Sequence, residues 1–180
     1  MNPIIVCHGT LVDLPLCDVE RDLELALRWV NSPISYQFLN RDRPITRDEE
    51  QHALERLSKS DDKLFLVIVD KTTDESIGTC GLHGIHPTHR FATYGIMIGE
   101  ERFHNGGRGT EACKLICAFG LDVLNLHKIC ASVYANNPRS ERHMKKLGFV
   151  EEGRRIAQMW RLGEWVDEVL LGLFSENFRR

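Results

Sequence analysis

"HNGGRGTEACKLICAF", His104 to Phe119, decides how this chain is read, because glycines and an arginine stand directly before a run with helical spacing. Ala112, Leu115, Ile116, Phe119 and Val123 recur at i, i+3, i+4, i+7 and i+11, one face of a helix. Gly106, Gly107 and Gly109 lie at its mouth. Glycine lets backbone N–H groups turn toward a ligand with no Cβ in the way. The first N–H groups of a helix have no internal partner, and the macrodipole adds partial positive charge there. Such a mouth suits a phosphate or another anion, with Arg108 as added charge. The same residues also suit a glycine-rich turn that simply enters a helix. No Gly-Lys-Ser/Thr closes the loop, and the G-x-G-x-x-G spacing is absent, so neither common nucleotide fingerprint applies.

The flanks of the loop read as sheet. "KLFLVIVD" (63–70) is a buried strand, and "IGTCGLHGI" (77–85) with "FATYGIMIG" (91–99) is a hairpin turned at "HPTHR". "HKICASVYA" (127–135) is the strand after the helix, which runs to about Leu124. Toward the N-terminus, "GTLVDLPL" (9–16) is a first strand. Two helices follow it. One is capped by Asp18, with Leu23, Ala26, Leu27 and Val30 inside and a stop at Asn31-Ser32-Pro33. The other opens on a Thr46/Glu49 capping box, with Ala53, Leu54 and Leu57 inside. Toward the C-terminus, "NNPRSERHMKKLGF" is a short helix between Pro138 and a left-handed cap at Gly148. A last hairpin turns at Leu162-Gly163. The order β-α-α-β-β-β-α-β-α-β-β is an α+β plan with a central mixed sheet and helices on its faces.

With 180 residues and no linker or repeat, residues 1–180 read as a single domain. A net charge of −3 with no basic run gives nucleic-acid binding no electrostatic support. No apolar segment reaches the ~20 residues of a membrane span, and "MNPIIVCHGTLVDLP" lacks the basic start of a signal peptide. The expected compartment is therefore the cytoplasm, with no membrane partner. The six cysteines form no C-x-x-C pair and read as reduced, mostly buried small hydrophobes.

In "GGRGTEA", "LDVLNLHKICASVYANNPRS" and "KKLGFVEEG", in this order and spacing, the chain resembles the Gcn5-related N-acetyltransferases (GNAT), in the branch of ribosomal-protein alanine and spermidine acetyltransferases. The resemblance covers about residues 11–174. It implies a mostly antiparallel sheet with a splayed strand pair, flanked by about four helices. It implies acetyl-coenzyme A as cosubstrate, with amides of Asn105, Gly106, Gly107, Arg108, Gly109 and Thr110 on its pyrophosphate. His104 stands where the family usually has Gln or Arg. Ile96, Met97 and Ile98 would pair with the pantetheine arm, and a backbone amide there would polarise the thioester carbonyl. Asn137 matches an asparagine that contacts the cofactor, and the helix after it, with Met144, packs near the sulfur.

The implied reaction is direct transfer of acetyl to a primary amine in a ternary complex. The acceptor is a small-molecule amine, such as a polyamine or an amino sugar, or a protein N-terminus. A coenzyme A-binding module without turnover is the alternative, and a homo-oligomer remains open. Two departures bear on catalysis. Many relatives carry a tyrosine proton donor at the position of Met144, and some carry a glutamate base at that of Thr93. His83, on the strand across the hairpin, is then the candidate base. His83, His86 and His89 recur at a spacing of three, but Gly84 and Pro87 disfavour a helix there, so no metal site is expected. The acceptor groove is expected from "NSPISYQFLNRDRP" and "MWRLGEWVDE". Tyr36, Phe38, Trp160 and Trp165 would serve as its walls or as core, and Glu20, Glu24, Glu49 and Glu50 would attract a cation or simply meet solvent.

Overall fold

A computed structural model of the chain describes residues 3–39, 41 and 43–178. Its strands are β1 (Ile5–His8), β2 (Val12–Pro15), β3 (Lys63–Asp70), β4 (Glu75–His86), β5 (Phe91–Ile98), β6 (Lys128–Tyr134), β7 (Val150–Arg161) and β8 (Glu164–Phe174). Its helices are α1 (Val19–Asn31), α2 (Pro33–Tyr36), α3 (Arg47–Ser58), α4 (Arg108–Ala118) and α5 (Pro138–Lys146). The strands form one sheet in the order β1-β2-β3-β4-β5-β6-β8-β7. This is the expected α+β plan, a mixed and mostly antiparallel sheet. Every neighbouring pair is antiparallel except β5 and β6. Parallel neighbours need a crossover, and α4 is in it.

Successive side chains of a strand point to opposite faces, so the sheet buries two clusters. On one face Leu66, Ile68, Leu82, Ala92 and Tyr94 pack with Ala112, Cys113, Ile116 and Cys117 of α4. On the other, Phe65 meets Leu23, Ala26, Leu54 and Leu57 from α1 and α3. The helix ends follow their sequence signals. Asp18 accepts from the Arg21 N–H at 3.1 Å, and Thr46 and Glu49 cap each other's backbone. Asn137 accepts from the Ser140 N–H, and Gly148 takes φ +102, where a Cβ would stand 1.9 Å from the Asn177 carbonyl oxygen.

Three expectations change. The strand expected over 9–16 starts at Val12, because Gly9 to Leu11 turn back from β1, a four-residue strand. So short a strand carries little periodicity of its own. α2 is a single helical turn after Pro33, where only a loop was expected. The helix that opens the chain's central loop does reach Val123, but its last five residues, Phe119–Val123, are π-helical. The wider turn shifts the facing. Cys113, Cys117, Gly120 and Leu121 go inward, while Val123, expected inside, is exposed. No disulfide forms; Cys7, Cys80, Cys113 and Cys117 are buried, and Cys17 and Cys130 are half-buried. Among the described residues no helix is long and apolar enough to cross a membrane.

Candidate acetyl-transfer site

The site begins with a fault in the sheet. β5 and β6 pair through three rungs only, Phe91–Lys128, Ala92–Ile129 and Thr93–Cys130. Past Thr93, β5 stays on β4 to Ile98, and β6 stays on β8 to Tyr134. Their facing edges part and leave a gap. Backbone groups alternate from side to side along a strand. Gly99 N–H bonds the Ile77 carbonyl toward β4, whereas the Ile98 carbonyl accepts from His104 Nε2 at 3.1 Å, away from β4. Ile96, two residues back, has the same sense as Ile98. Its N–H and carbonyl therefore face the gap, and those of Met97 face β4. The His104 bond to a carbonyl requires the proton on Nε2.

The glycine loop closes one end of the gap. Gly107 is the N-cap of α4, with φ +82, and Asn105 takes φ +66. A Cβ at Gly107 would stand 3.4 Å from Leu11 Cδ1. The free N–H groups of the first turn belong to Arg108, Gly109 and Thr110. The Arg108 side chain, expected as added charge, is already paired: its Nε donates to Asp70 Oδ1 at 2.5 Å, and its guanidinium lies 5.0 Å over the Phe103 ring. Asp70 is fully buried and also accepts from Thr72 N, Thr73 N and Thr73 Oγ1. These bonds, Arg108's first among them, outweigh burial and hold its carboxyl below the usual range. Glu111, one turn into α4, accepts from the N–H groups of Thr10, Leu11 and Val12 at 3.0, 2.6 and 2.8 Å. The sequence reading passed over Asp70 and Glu111, since their partners lie 38 and about a hundred residues away.

The gap opens into a cleft of about 610 Å³ that reaches both faces of the sheet. Ile96, Met97, Asn137, Ser140 and Met144 line it, as do Tyr94 and His83. The register sets His83 directly opposite Thr93. The next pair on that face, Gly81 and Gly95, has no side chains, so the ring lies over bare backbone: Cβ atoms there would sit 3.5 Å from its Cε1 and Nε2. Burial, then the Lys63 ammonium on β3, push the His83 imidazole below its ordinary range, with Asp62 opposing. His86 and His89 stack on each other in the turn, and Phe91 stacks on His86. Among the described residues no group of three or more His, Cys, Asp or Glu side chains is placed to hold a metal ion.

The far wall carries paired charges. Glu50 of α3 is buried, and Arg41 lies 3.5 Å from it. Burial pushes its carboxyl up, and Arg41 pulls the other way. Arg155 and Glu168 pair at 2.9 Å across the last hairpin. Arg161, at the end of β7, donates to the Tyr134 hydroxyl at 3.2 Å and the Leu39 carbonyl at 3.3 Å. It thereby ties hairpin, β6 and the loop after α2 together. Phe38 lines the cleft, but Trp160 and Trp165 do not; they meet edge to face with centroids 5.3 Å apart and stand exposed on the hairpin. Glu24 and Glu49 are taken up by Arg47 and Arg43, and Glu20 is exposed. Asn40 and Asp42 of the expected acceptor groove lie outside the described residues.

Comparison with known proteins is consistent with this arrangement. A family model described as an acetyltransferase (GNAT) domain matches residues 15–150. The chain is 34% identical over 93 residues to an uncharacterized N-acetyltransferase of Bacillus subtilis, YoaA, covering 52% of each chain. It is 30% identical over 104 residues to the spermidine N(1)-acetyltransferase of Escherichia coli, covering 58% of this chain and 55% of that one. The matched stretch thus spans about half the length of these relatives. A crystal structure of the spermidine N-acetyltransferase of Vibrio cholerae in complex with CoA and spermine superposes with a TM-score of 0.87 at 21% identity. The match covers 94% of this chain and 98% of that chain, a likeness of fold.

Proposed function

The chain belongs to the acetyltransferase (GNAT) domain family, and from that premise we propose that it transfers the acetyl group of acetyl-coenzyme A to a primary amine by direct attack in a ternary complex. The observation that carries this reading is the gap between β5 and β6, with a helix start at one end and His83 beside it. The residues fit the cosubstrate. Gly107 gives the loop a left-handed turn with no side chain at its apex, and the N–H groups of Asn105 to Thr110 serve the pyrophosphate. Ile96 offers its carbonyl to the pantetheine arm; Met97, Ile98, Asn137 and Met144 flank it. When bound, acetyl-coenzyme A supplies an activated acyl group.

The chain's own residues do the rest. A backbone N–H at the gap, that of Ile96, donates to the thioester carbonyl and stabilises the charge that develops there. His83, whose imidazole is pushed below its ordinary range by burial and the Lys63 ammonium, accepts a proton from the amine, directly or through one water. The walls hold the two reactants in contact, which lowers the entropic cost of their meeting. Glu50 and Glu168 stand in the cleft already paired with Arg41 and Arg155, so the acceptor is read as a primary amine, of which the spermidine named for the Escherichia coli relative is one example.

Met144 and Thr93 favour a second reading, a coenzyme A-binding module without turnover, because neither can perform the proton transfer usual at its position. Incubation with acetyl-coenzyme A and a mixed library of primary amines decides between them. A gain of one acetyl group by mass, with matching thiol release, supports transfer. Tight coenzyme A binding with no acetylated product supports the module.

A further inference from the structure

Glu111 is an acid in the first turn of α4, close to the helix start read above as the anion site. A carboxylate turned toward that start would repel a pyrophosphate. Glu111 is engaged by the β1–β2 turn instead. Its Oε1 accepts from Thr10 N–H at 3.0 Å, and its Oε2 accepts from those of Leu11 and Val12 at 2.6 and 2.8 Å. The turn wraps this carboxylate so closely that a Cβ at Gly9 would stand 2.6 Å from Oε2 and 2.6 Å from the Val12 carbonyl oxygen. Glycine is the residue that fits there.

The carbonyls of the same turn are fastened from β3. The N–H of Lys71 donates to the Leu11 carbonyl at 2.9 Å, and its ammonium donates to the Gly9 carbonyl at 3.0 Å. Lys71 follows Asp70, which holds Arg108. Arg108 and Glu111 are three residues apart, on one face of α4. The first turn of α4 is therefore pinned twice, at Arg108 by Asp70 and at Glu111 by the turn. What the turn brings to the loop is the Leu11 side chain. Its Cδ1 lies 3.4 Å from the place a Cβ would take on Gly107, and Gly107 holds φ +82.

Resting on the transfer reading above, we propose that Glu111 is a positioning residue for acetyl-coenzyme A. It seats the β1–β2 turn so that Leu11 packs on Gly107 and keeps the loop in the left-handed turn that presents the N–H groups of Arg108, Gly109 and Thr110 to the pyrophosphate. Glycine takes either hand with similar ease, so a left-handed Gly107 needs a neighbour to hold it. Donors set before the ligand arrives bind it without an ordering cost. The role is confined to the end of the site that meets the pyrophosphate. The pantetheine arm, which lies along β5, is indifferent to it.

The test needs no acceptor amine. Affinities for coenzyme A and for pantetheine, the same arm without pyrophosphate or nucleotide, are measured on the folded full chain. Glu111→Ala should weaken coenzyme A binding ~10- to 100-fold and pantetheine binding less than ~2-fold. Glu111→Gln keeps one accepting oxygen and should recover part of the loss. Leu11→Ala leaves the three hydrogen bonds in place and removes only the contact with Gly107. It should give the same selective loss at a smaller size, ~3- to 10-fold, and it carries the test where Glu111→Ala does not fold. Equal losses for the two ligands mark general damage to the fold and overturn the proposal. So does coenzyme A affinity kept in Glu111→Ala or in Leu11→Ala. Wild type that fails to bind coenzyme A overturns the transfer reading, and the proposal with it.

Discussion

At the glycine-loop end of the cleft, side chains are used to hold backbone. Glu111 collects three N–H groups of the β1–β2 turn, Asp70 fixes Arg108, and His104 caps the Ile98 carbonyl. The working surface is main chain. At the acceptor end the working surface is side chain. Arg41, Glu50, Glu168, Arg155 and His83 come from four separate parts of the chain, and one residue, Arg161, ties three of the walls together. On the proposed reading the main-chain end takes what every substrate pair shares, the cosubstrate. A side-chain site can be altered one position at a time, which suits the partner that varies within a family.

The sharpest way to break this contrast is at Gly107. Valine there meets a left-handed backbone and the Leu11 side chain, so Gly107→Val should weaken acetyl-coenzyme A binding by more than ~100-fold, read by calorimetry on folded protein. Unchanged affinity would show that the loop is not the anion site. The next effect lies at the other end. His83→Ala should lower turnover ~100-fold, and His83→Gln as much, with acetyl-coenzyme A affinity kept. A base works in its neutral form, so the rate rises with pH through the folded pKa. That pKa is depressed, so the ascending limb should fall below the ordinary histidine value of about 6.5. A limb that tracks the amine's own pKa would remove His83 from the reaction.

A smaller effect separates holding from binding. Asp70→Asn keeps the shape but gives up the charge-assisted bond that fixes the Arg108 side chain, so affinity for acetyl-coenzyme A should fall ~10-fold while the acceptor KM stays put. Its pKa is held low in the folded state, so its contribution is present above the unfolded carboxyl value and is lost as pH falls through the folded one. Wild type should therefore lose thermal stability at acid pH faster than Asp70→Asn does. The smallest effect is at the bolt of the acceptor wall. Arg161→Ala should raise the acceptor KM roughly 3- to 10-fold and leave acetyl-coenzyme A affinity unchanged. Equal losses for both substrates would mean that the two ends are not independent.

The same contrast explains what the sequence disclosed. Main-chain binding needs glycine at special backbone angles, and glycine followed by helical periodicity is a local pattern, so Gly107 and α4 were legible. The sheet, its hairpins and the caps at Asp18, Thr46 and Asn137 were legible for the same reason. The gap itself was not in the residues; it was expected from resemblance alone, and Thr93 and Ile96 differ little as sequence. His83 could be placed near Thr93 only by assuming a register, which the pairing of β4 with β5 supplies. The capping-box spacing from Thr46 marks Glu49 as a helix cap, but nothing in the sequence marks Glu50 beside it as buried in the cleft. Trp160 and Trp165, the best candidates for walls by type, stand in the open.

The three-rung seam between β5 and β6 also bears on how the molecule assembles. β1 to β5 follow one another in the sheet in chain order, and β7 pairs with β8 through a tight hairpin. Apart from β2 and β3, which α1 to α3 separate, these neighbours close short loops and form early. The seam must wait for α4 to cross over, and it gains only three rungs when it forms. The cleft is then the last part of the molecule to be completed. Ile129, fully buried in the middle of the seam, should report this order. Its truncation to Val should speed unfolding and leave the folding rate nearly unchanged, the signature of a contact made after the transition state.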